Sequence, residues 1–262
     1  MTQNNRSAPS ITKNLFLARL RDGAAQCGLW CSVPNVDIVE LFAYSKPDWI
    51  LVDMEHTSAE LSQLANLERA AAAANTPLIV RVPSLSGDHI KRVLDCGVQS
   101  IFVPQIKTAA DVAEAVSFVQ YPPNGKRGVA GTTRASRFGH WGGLKAALAD
   151  EIALIVQIET VEALQDVENI VATPGISAVF VGPADLSAAL GHMDQPNHPD
   201  VIAAIEEILA AAKNTKMPVG IFAPDVATAR KWADKGFSFV SIGQDTSILL
   251  AESISRVAAF KN

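Results

Sequence analysis

The chain has 262 residues and a formal net charge of −5, from 22 basic and 27 acidic side chains, and 48% of its residues are hydrophobic. That length suits one barrel of eight βα units, about 250 residues, and the apolar content excludes disorder for most of the chain. A mildly acidic chain with scattered Lys and Arg is a poor match for the phosphate backbone of nucleic acid, and no apolar run reaches the roughly 18 residues that cross a bilayer.

The polar segment Met1 to Ser10 lacks the apolar stretch of a secretory signal. Residues 1–10 are expected to form a flexible N-terminus, and residues 11–262 one domain of a cytoplasmic protein. A helix is expected near Thr12–Asp22, ahead of an alternation of short apolar runs and longer amphipathic stretches. In chain order these are strand Gln26–Ser32, helix Val36–Tyr44, strand Trp49–Val52, helix Leu61–Ala74, and strands Leu78–Val82 and Ser100–Val103. Helix Ala109–Val119, strand Ala153–Ile158, helix Val161–Val171, strand Ala178–Val181, helix Pro199–Lys213, strand Val219–Phe222, helix Val226–Lys235 and strand Phe237–Ile242 follow. The strands are almost wholly apolar, as in a parallel sheet buried on both faces. Strict alternation argues for an α/β fold, and eight units predict a single (β/α)8 TIM barrel with an extra N-terminal helix. An open doubly wound sheet would show a glycine-rich first turn, and Ser32-Val33-Pro34-Asn35 is not one. The stretch Tyr121 to Gly143, rich in Gly and Arg, is long enough to be functional. Cys27 and Cys31, four apart in an extended segment, stand about 13 Å from one another, too far for a disulfide. With Cys96 they read as structural thiols.

Catalytic groups of such barrels sit at the C-terminal ends of the strands. Here the second strand runs into Asp53-Met54-Glu55-His56, the third ends on Arg81, the fifth on Gln157-Ile158-Glu159, and the sixth on Gly182-Pro183-Ala184-Asp185. Glu159 and Asp185, from adjacent strands, suit one hard divalent cation such as Mg²⁺ or Mn²⁺; the alternatives are a pair engaged by Arg or Lys, or an Asp185 that caps a helix. Arg81 offers a planar cation to a carboxylate or an enolate oxygen. His56 is the natural acid/base, oriented by Asp53, Glu55 or Asp95. A Schiff-base aldolase needs a lysine at a strand end, and the nearest, Lys107, lies past the fourth strand. The turns after the last two strands, Ala223-Pro224-Asp225 and Gly243-Gln244-Asp245, are poor in the glycine that binds phosphate. A carboxylate substrate is therefore expected.

These motifs are similar to those of the HpcH/HpaI aldolase family of metal-dependent pyruvate aldolases. The matching stretches are Gly28-Leu29-Trp30, Asp48-Trp49, Asp53-Met54-Glu55-His56, Val80-Arg81-Val82-Pro83, Lys91 to Gly97, and Tyr121-Pro122-Pro123 with Arg127-Gly128-Val129. Val156-Gln157-Ile158-Glu159-Thr160 and Val181-Gly182-Pro183-Ala184-Asp185-Leu186-Ser187 complete the set. Met54 stands where the family has glycine.

The resemblance implies Glu159 and Asp185 as ligands of Mg²⁺, Mn²⁺ or Co²⁺, and Gln157 beside the metal. It implies the backbone amides around Gly182 to Ala184, with Pro183 between them, at the substrate carboxylate, Trp30 and Phe222 as substrate contacts, and Arg81 on the enolate. His56, with Asp53 or Asp95, would move the proton. The implied reaction is reversible cleavage of a 4-hydroxy-2-oxo acid, such as 4-hydroxy-2-oxo-heptanedioate or a 2-keto-3-deoxy sugar acid, to pyruvate and an aldehyde. An oxaloacetate decarboxylase, a CoA-ester lyase or a silent 2-oxo acid binder would use the same set. A homohexamer is implied, with Phe222 and the Arg127–Arg137 loop near an interface. Aldehyde choice is expected from Val33 to Asp37 and from Thr132, Thr133, Arg134 and Arg137.

Overall fold

The computed structural model describes residues 12–140 and 148–261; the expectation for residues 1–10 falls outside them. Eight parallel strands close into a barrel in sequential order. They are β1 (Gln26–Cys31), β2 (Trp49–Asp53), β3 (Leu78–Arg81), β4 (Ser100–Val103), β5 (Ala153–Ile158), β6 (Ala178–Val181), β7 (Val219–Ile221) and β8 (Phe239–Gln244). The described helices are α1 (Leu15–Arg21), α2 (Val36–Tyr44), α3 (Leu61–Ala73), α4 (Gly87–Asp95), α5 (Ala109–Val119) and α6 (Val161–Gln165). They continue with α7 (Val167–Ala172), α8 (Pro183–Ala189), α9 (Pro199–Thr215), α10 (Val226–Lys235) and α11 (Asp245–Lys261).

The two-residue period of a strand sorts the core into two shells. Trp49, Leu51, Ile79, Phe102, Ile155, Phe180 and Phe239 point inward and fill the barrel. Ile50, Val52, Val80, Ile101, Val156 and Val179 point outward under the helices. The N-terminal end of the barrel is plugged by α1, whose Phe16, Leu17 and Leu20 are buried, with Phe16 edge-on to Phe239 at 5.3 Å. Asn14 fixes this plug: its side-chain oxygen Oδ1 caps α1 by accepting Leu17 N–H, and its side-chain amide nitrogen donates to Gln99 O at 3.0 Å and Glu151 O at 3.1 Å.

The expected elements differ in three places. The helix expected over Val161–Val171 is two helices meeting at Asp166, whose carboxylate is drawn away to accept Ala109 N–H at 2.7 Å. The last strand begins at Phe239 rather than Phe237, because Phe237 packs on Trp232 of α10 at 5.4 Å. The same strand runs on past the apolar pattern to Gln244, which pairs with Trp30.

Candidate active site

The inward parity that packs Trp49 and Leu51 also turns Asp53 into the barrel mouth; on β3 it does the same for Arg81 after Ile79, and on β5 for Gln157 after Ile155. Asp53 and Arg81 are cross-strand partners in the β2–β3 register. Their side chains form a fork: Arg81 Nε donates to Asp53 Oδ1 at 2.9 Å and a terminal nitrogen to Oδ2 at 2.6 Å. The other terminal nitrogen lies 3.0 Å from Glu55 Oε2 and 3.4 Å from Gln157 Oε1. Burial pushes the Asp53 carboxyl up, but the hydrogen bonds and charge of Arg81 win and hold it below its ordinary value. Arg81 itself stays firmly protonated against burial because of Asp53 and Glu55. Its face lies 4.9 Å from the Trp30 ring, and that ring meets Phe102, Phe180 and Phe222. The guanidinium is thus held in one orientation by charge on its edge and an aromatic on its face.

Across the mouth, Glu159 is buried, with Oε1 accepting Gln105 N–H at 2.7 Å and Oε2 accepting from Gln157 Nε2. Burial first, and then the facing Asp185, push its carboxyl up to about 8. Asp185 lies in the first turn of α8, with Gly182 as the N-cap residue. A Cβ on Gly182 would stand 2.4 Å from Gln157 Nε2, 3.2 Å from Glu159 Oε2 and 3.4 Å from Asp185 Oδ2. Only glycine leaves that hollow open, and both its carboxylates repel one another when ionised. Two hard oxygen donors with mutual repulsion around a gap fit a divalent cation. The pocket that Asp185 and Gly182 line, about 290 Å³, is lined also by Ser32, His56, Pro183, Ala184 and Gln244.

A family model for HpcH/HpaI aldolase/citrate lyase matches residues 26–251. The chain belongs to this family. It is 41% identical to a hydroxypyruvate/pyruvate aldolase of Paraburkholderia phytofirmans, covering 92% of this chain and 95% of the relative. It is 37% identical to a 5-keto-4-deoxy-D-glucarate aldolase of Klebsiella pneumoniae, over 96% and 98%. The crystal structure of a family member from Burkholderia cenocepacia superposes with a TM-score of 0.93 at 38% identity, over 95% of this chain and all of that one.

The structure thus brings Trp30, Asp53, His56, Arg81, Gln157, Gly182, Pro183, Ala184, Asp185 and Phe222 to one pocket, with Glu159 outside that lining and bound to Gln157. Asp53 does not orient the His56 ring: both its oxygens serve Arg81, and it touches His56 through the backbone N–H at 3.4 Å. The ring nitrogen Nε2 lies instead 3.7 Å from Glu55 Oε2. Asp95 is not brought to His56 within the chain. It ends α4 and lies 3.5 Å from Arg127, where the helix has returned to the N-terminal end of the strands. The Tyr121–Gly143 stretch has the same correction, for its described part up to His140. It follows α5 and so starts at that opposite end, where Arg134 binds Cys96 O and Glu68, and Arg137 binds Thr12. These arginines line no part of this chain's own pocket. Asp185 is no helix cap; it stands inside the first turn of α8.

Residue patterns alone passed over Gln105, which holds Glu159 by its main chain and Glu55 by its side chain at 3.1 Å. It follows β4 at the same mouth, but Pro104 hides the strand end, and the positive φ of 54° at Gln105 has no sequence signal. Ser32, Phe180 and Gln244 were equally silent, their place at the mouth being set by register. The loop histidines His192 and His198 stack at 3.5 Å, with Asp200 bound to His192 at 2.9 Å. Parallel rings aim their lone pairs past one another, and His198 Nδ1 already accepts Asp200 N–H as the cap of α9.

Proposed function

We propose that this protein is a divalent-metal-dependent class II pyruvate aldolase. It cleaves a 4-hydroxy-2-oxo acid of the 2-keto-3-deoxy sugar acid type reversibly to pyruvate and an aldehyde. The observation that carries this reading is the convergence of Arg81 with the Glu159–Asp185 hollow in one pocket. Relatives named as a hydroxypyruvate/pyruvate aldolase and a 5-keto-4-deoxy-D-glucarate aldolase support it over decarboxylation.

Glu159 and Asp185 would hold Mg²⁺, Mn²⁺ or Co²⁺, whose chemistry there is Lewis-acid polarisation of the substrate C2 carbonyl. Gln157 steadies Glu159 in that hollow. The first-turn N–H groups of α8 lack helical partners, so the backbone of Gly182 and Ala184 receives the substrate carboxylate. His56, at the solvent side of the pocket, takes the proton from the C4 hydroxyl. The C3–C4 bond breaks, its electron pair passes to the pyruvate half as an enolate whose oxygen Arg81 stabilises, and protonation at C3 then gives pyruvate. Asp53 and Glu55 position Arg81 for that task. Pyruvate release from a 2-keto-3-deoxy sugar acid, followed by a coupled assay before and after exhaustive EDTA treatment, tests the reading. Loss of turnover on chelation and its return with Mn²⁺ are expected; pyruvate release that survives complete metal removal overturns it.

The working unit in this reading is a cytoplasmic homo-oligomer, a hexamer by family resemblance. Every residue of α11 from Thr246 to Lys261 is exposed, including Leu249, Leu250, Ile254 and Phe260, the last at 93%. A groove of about 330 Å³ also opens over β8 and β1, with Val226, Ala229, Phe237, Val240 and Ile242 in its lining. Most helical stability in proteins comes from packing an apolar face, so the apolar residues of α11 call for a cover from a neighbouring subunit. Among the described residues, no helix is long and apolar enough to cross a membrane.

A further inference from the structure

β8 and β1 close the barrel side by side, on the far side of the mouth from β5 and its Glu159. Their register slips: Gly28 pairs with Ser241, but Trp30 pairs with Gln244, so β8 carries one extra residue at this point. The slip is centred on Gly243, whose φ of +136° few other residues adopt. A bulge of this kind re-aims the side chain beside it, and Gln244 lines the catalytic pocket with Ser32. Gln244 Nε2 donates to Ser32 Oγ at 2.7 Å. Among the described residues, that is the one side-chain hydrogen bond either makes. It leaves a second amide N–H, the amide oxygen and the serine hydroxyl proton to face the pocket, in a wall otherwise made of Trp30, Phe180 and Phe222.

The pair is also held from behind. The Asp245 carboxylate, buried at 5% exposure, accepts Ser32 N–H at 3.0 Å, Val33 N–H at 2.8 Å and Thr246 N–H at 2.8 Å. It ties the loop after the first strand to the end of the last one. Asp245 lines no part of the pocket, so any effect it has on substrate passes through Ser32 and Gln244.

We propose that Ser32 and Gln244 read the aldehyde-derived end of the substrate and select an aldehyde with a hydroxyl on the carbon next to its carbonyl, and that Asp245 is the positioning residue of this pair. The inference rests on the aldolase reading above. An uncharged pair offering both donors and an acceptor matches a hydroxyl, which is itself both; a carboxylate, which only accepts, would face the amide oxygen unpaired.

The test is aldol addition of pyruvate to glycolaldehyde and to propanal, which replaces the hydroxyl by a methyl group of similar size. The quantity read is the ratio of the two kcat/KM values relative to wild type, which cancels the aldehydes' intrinsic reactivity. Gln244→Ala and Ser32→Ala, each checked for a native melting transition, are expected to lower the ratio by about tenfold, the loss of roughly one hydrogen bond. Asp245→Asn is expected to move it in the same sense; equal losses with both aldehydes would reduce Asp245 to support of the fold. An active wild-type enzyme whose ratio is unchanged in both pocket variants overturns this inference alone. A wild-type enzyme that condenses pyruvate with neither aldehyde, and exchanges none of its methyl protons with deuterated water, overturns the aldolase reading itself.

Discussion

Arg81 shows how one side chain is made competent by its neighbours. Two carboxylates grip its edge, Asp53 through the paired bonds at 2.9 and 2.6 Å and Glu55 at 3.0 Å, while Trp30 covers its face. A lysine would keep the charge and lose the fork. Arg81→Lys is therefore expected to lower kcat by about 10²- to 10³-fold, the scale of removing one donor from an oxyanion site, with a smaller change in KM for the 2-oxo acid. Steady-state kinetics check this, and near-normal kcat would reject the enolate role. The candidate residues were legible because the apolar runs stop abruptly at Asp53, Arg81, Gln157 and Gly182, and strand parity then fixes which way each side chain points. What stayed illegible depends on contact rather than pattern. Nothing in Asp53-Met54-Glu55-His56 says that Asp53 serves the arginine while Glu55 lies nearest the imidazole.

The elements themselves were largely readable, since a strand buried on both faces is apolar throughout, and seven of the expected helices lie on amphipathic stretches. The errors fall where side-chain contacts override periodicity: Asp166 leaving its helix for Ala109 N–H, and Phe237 leaving its strand for Trp232. The direction of the chain matters as well. Asp95 and the Arg127–Arg137 segment follow helices, so they gather at the N-terminal end of the barrel, away from this chain's own mouth. The helix that most needs explanation is α11, exposed along its whole length beyond Asp245 and studded with Leu249, Leu250, Ile254 and Phe260. If a neighbouring subunit covers it, charge on that face should break the assembly. The double substitution Leu250→Glu with Ile254→Glu is expected to shift the sedimenting species to lower mass while leaving the barrel's far-UV circular dichroism intact. An unchanged sedimentation coefficient would show that α11 lies outside the interface.

The barrel as a whole carries the electrostatic load of its own site, and that load has a measurable pH dependence. In the metal-free protein, burial and then the charge of Asp185 push Glu159 up to about 8, whereas an unfolded chain would ionise it near 4.5. Between those values the folded state retains a proton that the unfolded state has lost, so stability falls as pH rises through that window. Asp53 has the opposite sign: its lowered value adds stability above its ordinary 3.8, lost only in acid, so it leaves this window flat. The EDTA-treated protein is therefore expected to lose several degrees of Tm between pH 5.5 and 8.5. Glu159→Gln, which cannot ionise, should flatten that slope and melt higher than wild type at pH 8.5. Mn²⁺ should reverse the trend in wild type only, because a cation in the Glu159–Asp185 hollow favours the ionised carboxylate and grows more stabilising as pH rises. Thermal melts of both proteins at three pH values, with EDTA and with Mn²⁺, read all of this. Parallel slopes for the two metal-free proteins would mean that Glu159 ionises normally, and that the hollow is not primed for a cation.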